Sequence, residues 1–137
     1  MAIQQISIFI EDRQGQMADV IKKIADAGIN IRALSVADSR DFGILRLIVS
    51  DTAKTKELLE EDVLVKVTDV IAVRMDDIHG ALYKILKVLE DAQINLDYSY
   101  AFTASKDKGA YVVFRVADNE AAEKLLSEKG FTFIDEV

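Results

Sequence analysis

Two short segments of this chain combine residue types suited to holding a small zwitterion. Gln14-Gly15 and His79-Gly80 each precede an amphipathic stripe of helical period, yet neither offers a Ser, Thr, Asp or Asn at the helix N-cap. Up to four backbone amides at each helix start, together with the positive end of the helix dipole, are left for an outside anion, and a carboxylate suits them. Glycine at the turn permits φ > 0 and a close approach of backbone to ligand. Asn30 and Asn95, at the start of the strands that follow these helices, add amide donors and a carbonyl acceptor. Together these groups could read both ends of an amino acid.

Each feature has a plainer competitor. Glycine is the default residue of any strained turn, and an asparagine after a helix often only bonds local backbone. Asp76-Asp77-Ile78-His79 mixes carboxylates with an imidazole but lacks a third fixed ligand, so it reads as a solvated turn and no metal is expected. Tyr98, Tyr100 and Phe102 alternate at period two; an aromatic binding platform is one reading, and core or interface the favoured one. The acidic run Glu57 to Asp62 reads as a solvated helix face.

Composition narrows the chemistry further. The 137 residues include no Cys and one His, which removes thiolate metal sites, disulfides, cysteine nucleophiles and histidine cages. No nucleophile–base pairing is recognisable, so no catalytic residue is assigned and no enzyme or cofactor is expected. With 17 Lys+Arg against 24 Asp+Glu the formal charge is −7, which repels phosphate backbones and anionic lipid surfaces; neither nucleic acid nor membrane is an expected partner. RNA-recognition motifs share a βαββαβ order, but no basic-aromatic strand of their kind is present. The opening Met-Ala-Ile-Gln-Gln lacks a basic segment followed by a long apolar one, and no apolar run approaches the ~20 residues of a membrane span, so a cytoplasmic protein is expected.

The elements that must position these residues occur twice. Asp12-Arg13-Gln14-Gly15-Gln16-Met17 recurs 65 positions later as Asp77-Ile78-His79-Gly80-Ala81-Leu82, and Ala27-Gly28-Ile29-Asn30-Ile31 as Ala92-Gln93-Ile94-Asn95-Leu96. Asp41-Phe42-Gly43 meets Asp107-Lys108-Gly109 at an offset of 66, and Asp51 and Leu58-Leu59 meet Asp118 and Leu125-Leu126 at 67. Ile6, Ile8 and Ile10 alternate as in a strand; Met17, Val20, Ile21, Ile24 and Ala25 then follow a helical stripe closed by Gly28. Ile29 to Ala37 and Ile44 to Val49 form a hairpin, with turn chemistry in Asp38-Ser39-Arg40-Asp41-Phe42-Gly43; Asp51 caps a helix running to about Glu61, and Val63 to Val67 closes the half. The second half repeats this with strand Val70–Met75, helix Gly80–Ala92, strands Ile94–Thr103 and Ala110–Val116, helix Asn119–Lys129 and strand Phe131–Ile134.

The expected fold is therefore α+β: two tandem ferredoxin-like βαββαβ units, residues 1–68 and 69–137, each a four-stranded antiparallel sheet with two helices on one face. Ile44 and Ile48 lie on one face of their strand and Leu45, Leu47 and Val49 on the other, so the second sheet face is not expected to be fully wet. The join Thr68-Asp69 is too short for a flexible linker.

Each half resembles an ACT domain. The resemblance covers nearly the whole chain and rests on the βαββαβ order, the turns Asp12–Gly15 and Asp77–Gly80, and the Ala-Gly-Ile-Asn-Ile segment echoed at 92–96. Ile31 to Asp38, Asp41 to Val49 and Tyr98 to Phe102 are similar to stand-alone tandem ACT proteins of bacteria. Where many ACT domains have proline before the turn glycine, this chain has Gln14 and His79. The resemblance implies a regulatory module of amino-acid metabolism in which a free amino acid binds where the first loop of one domain meets the Asn-bearing strand of a neighbour. Carried over, the ligand-binding residues are Asp12, Gln14, Gly15, Gln16, Asn30 and Ile31, with Asp77, His79, Gly80, Ala81, Asn95 and Leu96 in the second half. A homodimer and a regulated metabolic enzyme are the expected partners. The alternative is an interaction or assembly module that retains no ligand.

Overall fold

The computed structural model describes residues 2–11, 13–38, 41–103 and 109–135. Asp12, Ser39, Arg40, Asp107 and Lys108, which the sequence reading uses, lie outside the described residues. The chain divides into two compact units, Gln4–Thr68 and the residues from Asp69 onward together with Ile3.

In the first unit, β1 (Ile3–Glu11) leads to α1 (Gln16–Asp26), then to β2 (Ile31–Asp38), β3 (Phe42–Val49) and α2 (Thr52–Leu59). The strands run antiparallel in the order β2-β3-β1, with Ile6 opposite Leu47, Glu11 opposite Phe42 and Ile31 opposite Val49. The alternation of β1 sends Ile6, Ile8 and Ile10 to one face, where they pack with Val20 and Ile24 of α1, Leu59 of α2, and Leu45 and Leu47 of β3.

The second unit repeats the plan with β4 (Leu64–Met75), of which it holds Asp69–Met75, then α3 (Ala81–Asp91), β5 (Leu96–Thr103), β6 (Ala110–Val116) and α4 (Asn119–Glu128). Its strands are ordered β4-β6-β5, and its core joins Ile71 and Val73 to Ile85, Leu89, Phe114 and Leu126. The fold is α+β and ferredoxin-like in tandem, with the two helices of each unit packed on one sheet face.

That face is not the only dry one. On the opposite face Gln5, Ser7, Ala33 and Ile48 are buried in the first unit, as are Ala72, Tyr111 and Val113 in the second. Gln5 Nε2 donates to Ser7 Oγ at 3.3 Å, satisfying two polar groups there. The aromatic strand face follows the same pattern: Tyr98, Tyr100 and Phe102 sit opposite Arg115, Val113 and Tyr111, and the Phe102 ring stacks on Tyr111 with centroids 5.6 Å apart.

Several boundaries differ from the sequence reading. Val63–Val67 and Val70–Met75 are not two strands with a join; β4 runs unbroken through Thr68-Asp69, a stretch with neither Gly nor Pro to interrupt it. Phe131–Ile134 is not a full strand but one bridge, Val73 opposite Phe133, flanked by Arg74 N–H donating to the Thr132 carbonyl (2.8 Å) and Ile134 N–H to that of Ala72 (3.1 Å). Helix α2 stops at Leu59 rather than Glu61, and α3 and α4 are shorter by a residue at their ends.

Ile29 and Ile94 belong to helix ends rather than to strands. Gly28 N–H donates to the Ala25 carbonyl (2.9 Å) and Ile29 N–H to that of Ile24 (3.2 Å), the paired bonds of a Schellman cap, with Gly28 at φ 72°. The second unit makes the same cap with Gln93 at φ 57°, the one positive-φ non-glycine among the described residues. A side chain in that conformation costs about 1–2 kcal/mol.

Two expectations follow. Gln93→Gly should raise unfolding stability by roughly 0.5–1 kcal/mol, the relief of left-handed strain less the added freedom of the unfolded chain; an unchanged or lower denaturation midpoint would contradict the assignment. Asp51→Ala and Asp118→Ala, which delete the side-chain caps of α2 and α4, should each cost about 1 kcal/mol in the same titration.

Candidate functional site

The four helices begin in two different ways. At α2 and α4 an Asp side chain closes the first turn: Asp51 Oδ1 accepts from Lys54 N–H and Asp118 Oδ1 from Ala121 N–H, both at 3.0 Å. At α1 and α3 the N-cap is Gly15 (φ 84°) or Gly80 (φ 81°), and no side chain caps the turn. The loop backbone forms the same tight turn at both places. Gln16 N–H donates to the Arg13 carbonyl (3.2 Å) and Ala81 N–H to that of Ile78 (3.3 Å), while Arg13 N–H reaches the Glu11 carbonyl (2.8 Å) and Ile78 N–H that of Asp76 (2.9 Å). This satisfies the first helical amide and leaves those of Met17 and Ala18, or Leu82 and Tyr83, without a cap from a side chain. A Cβ placed on Gly15 or Gly80 would meet nothing within 4 Å, so the space beside each turn glycine is open.

Around the turns, Gln14, Asp77 and His79 are exposed, Gln16 is half-buried and Ala81 is buried at the start of α3. The Gln16 Oε1 atom is buried without a hydrogen-bond partner among the described residues, an acceptor that a ligand ammonium could use.

The asparagines lie elsewhere. Asn30 N–H donates to Ser50 Oγ (3.0 Å) and Ser50 N–H to the Asn30 carbonyl (2.9 Å), which pins Asn30 beside the end of β3. Its side chain is exposed, as is that of Asn95. Ile31 opposes Val49 at this end of the sheet, whereas Glu11 opposes Phe42 and Asp38 opposes Gly43 at the other. Seven residues of strand at ~3.3 Å each therefore separate Asn30 from the Gly15 loop end, roughly 23 Å. In the second unit Leu96 opposes Val116 at the Asn95 end and Met75 opposes Ala110 at the Gly80 end. A single unit does not bring its own loop and its own asparagine together. Ile31 and Leu96 are half-buried and pack against their units' cores.

Sequence reasoning missed Arg13. It lines a cleft of about 230 Å³ beside the first loop, between Met17 of α1 and Val36, Asp38 and Phe42 of the β2–β3 hairpin. The signal was present: Arg13 is the one cation of its loop, and the repeat places uncharged Ile78 at the matching position. Among the described residues no three His, Asp or Glu side chains converge on a metal position, and no helix is long and apolar enough to cross a membrane.

The family model for the ACT domain pair matches residues 1–137, and the chain belongs to that family. A protein of Bacteroides thetaiotaomicron is similar in structure, with 34% identity, a TM-score of 0.89, and coverage of 98% of this chain and 92% of that one. The ligand-free regulatory subunit of aspartate kinase from Thermus thermophilus shares the fold at 15% identity, TM-score 0.66, covering 93% of this chain and 92% of that one. Aspartokinase III of E. coli, in complex with aspartate and ADP, shares it at 19% identity and TM-score 0.56; the likeness takes in 91% of this chain and 30% of the enzyme. No curated protein sequence matches.

Proposed function

We infer that this chain is a non-catalytic, amino-acid-binding regulatory module that acts in the cytoplasm as a homodimer and is read by an enzyme of amino-acid metabolism. The observation that carries this reading is the contrast between helix starts: α2 and α4 are capped by their own Asp side chains, while α1 and α3 start at an uncapped, accessible glycine. A ligand carboxylate accepts hydrogen bonds from the first-turn amides at the positive helix end, and its ammonium finds acceptors such as Gln16 Oε1 or an Asn side chain.

Because loop and asparagine lie at opposite ends of one unit, the complete site needs the loop of one ACT domain beside the strand start of another. Binding then shifts the arrangement of domains by as much as the ligand prefers one arrangement over the other. Membership of the ACT domain pair family supports the class.

A second reading, an assembly module without ligand, draws on exposed apolar side chains at the sheet edge: Leu34 (49% exposed) and Val36 (50%) on β2, and Phe42 (44%) at the start of β3.

Thermal melts of the purified protein against each of the twenty common amino acids separate the two. At a hundred times Kd, one site should stabilise the protein by about 2.7 kcal/mol, a rise on the order of 8 °C for a chain of this size. Asn30→Ala or Asn95→Ala should remove the rise at its own site while leaving the far-ultraviolet circular dichroism unchanged. A flat panel at millimolar ligand would overturn the sensor and favour assembly alone, and a monomer by sedimentation would remove the homodimer.

A further inference from the structure

The seam between the two helices carries opposite charge in the two units. In the second unit a groove of about 530 Å³ lies between α3 and α4, with Val88, Leu125 and Phe131 among its walls and Lys84 and Lys129 also lining it. The same two lysines line a smaller cleft of about 170 Å³ at the start of α3, so both hollows share them. The repeat places Asp19, Lys23, Leu58 and Asp62 where the second unit has Lys84, Val88, Leu125 and Lys129. In the first unit Lys23 forms an ion pair with Asp62, which closes the seam with the chain's own charges.

Nothing of the kind closes the seam of the second unit. Among the described residues neither Lys84 nor Lys129 has an ion-pair partner. Lys129, at the C-cap of α4, suits the negative end of that helix. Lys84 does the reverse: it sits in the first turn of α3, at the positive helix end, where α1 carries the acidic Asp19. The other charged residues of the groove, Lys87 and Asp91, neutralise each other at 3.0 Å. Asp76 lines the smaller cleft and forms an ion pair with neither lysine, and Arg74, which also lines it, turns its guanidinium to Gly109. The unmatched charge of the groove is therefore a pair of ammonium groups, on a chain whose formal charge is −7.

We propose that the groove of the second unit binds a small organic acid with an apolar body, its anionic head held between Lys84 and Lys129 and its body laid along Val88, Leu125 and Phe131. The volume is within the range of small-molecule sites, about 300–1,000 Å³. An anion between the two lysines offsets their mutual repulsion, and the half-buried Val88 and Phe131, packed against the core of the unit, give the body a fixed apolar floor. The first unit cannot bind such a ligand, because Asp19 and Asp62 would repel the head and Lys23 stands where the body would lie. The inference does not rest on amino-acid binding: neither Gly80 nor Asn95 lines the groove, and a ligand ammonium would be repelled by the two lysines.

The test uses the whole chain and anilinonaphthalene sulfonate, an aromatic acid that fluoresces when held against apolar surface. Its fluorescence should rise to saturation and be displaced by octanoate but not by octylammonium. Lys84→Glu and Lys129→Glu, both at exposed positions, should each weaken binding by about tenfold, while Lys84→Arg and Lys129→Arg keep it. Lys124→Glu, which makes the same change of net charge on an exposed part of α4 outside the groove, should leave it unchanged, as should Asn95→Ala. A signal that does not saturate, equal displacement by octylammonium and octanoate, a Lys124→Glu loss as large as that of Lys84→Glu, or binding to phosphatidylglycerol vesicles without binding of either free acid would overturn the proposal. The amino-acid melts are read without any of these acids, so the two readings fail separately.

Discussion

Every helix must find acceptors for the amide protons of its first turn, and this chain answers that demand differently at alternate helices. Asp51 and Asp118 supply the acceptor from within. Gly15 and Gly80 do not: their left-handed conformation turns the chain into the helix, and no side chain makes a cap hydrogen bond there. The difference is conformational as well as chemical: the glycine N-caps are left-handed, whereas Asp51 and Asp118 are extended. An aspartate start is complete in itself. A glycine start is completed by water or by a ligand that carries its own negative charge.

The antiparallel register adds a second constraint. Because β1 and β2 both pair with β3, the end of β1 and the beginning of β2 lie at opposite ends of the sheet. A ligand small enough to be an amino acid cannot touch both within one unit, as roughly 23 Å of strand lies between them. The proposed site, which uses the amides of a glycine loop and the side chain of a strand-start asparagine, therefore cannot be completed by one domain alone.

Much of this was legible in the sequence because it rests on period and capping. The alternation of Ile6, Ile8 and Ile10, the stripe Val20, Ile21 and Ile24, and the aspartates before α2 and α4 each encode a local geometry that tertiary packing did not override. The uncapped starts were legible for the same reason. What was missed depends on contacts between distant segments. Thr68-Asp69 carries a residue type common in turns, yet it stays extended within β4, a strand with neither Gly nor Pro. Phe131–Ile134 alternates like a strand but makes one bridge before the described chain ends. Gln93 takes the left-handed place of Gly28 because the cap geometry of α3 requires it, at a position where the sequence shows no glycine. Arg13 became a cleft residue only once the β2–β3 hairpin was placed beside it.

The central claim is that the amides of the α1 and α3 starts are the ones a ligand uses. Its most direct test is a ¹H–¹⁵N correlation spectrum of the labelled protein, recorded while the amino acid with the largest thermal effect is added. The account predicts that cross-peaks from Gln16 to Ala18, from Ala81 to Tyr83, or from both sets, move in a saturable way while those of Lys54 and Ala121 stay in place. Movement confined to the aspartate-capped helices, or spread evenly over all four starts, would contradict it.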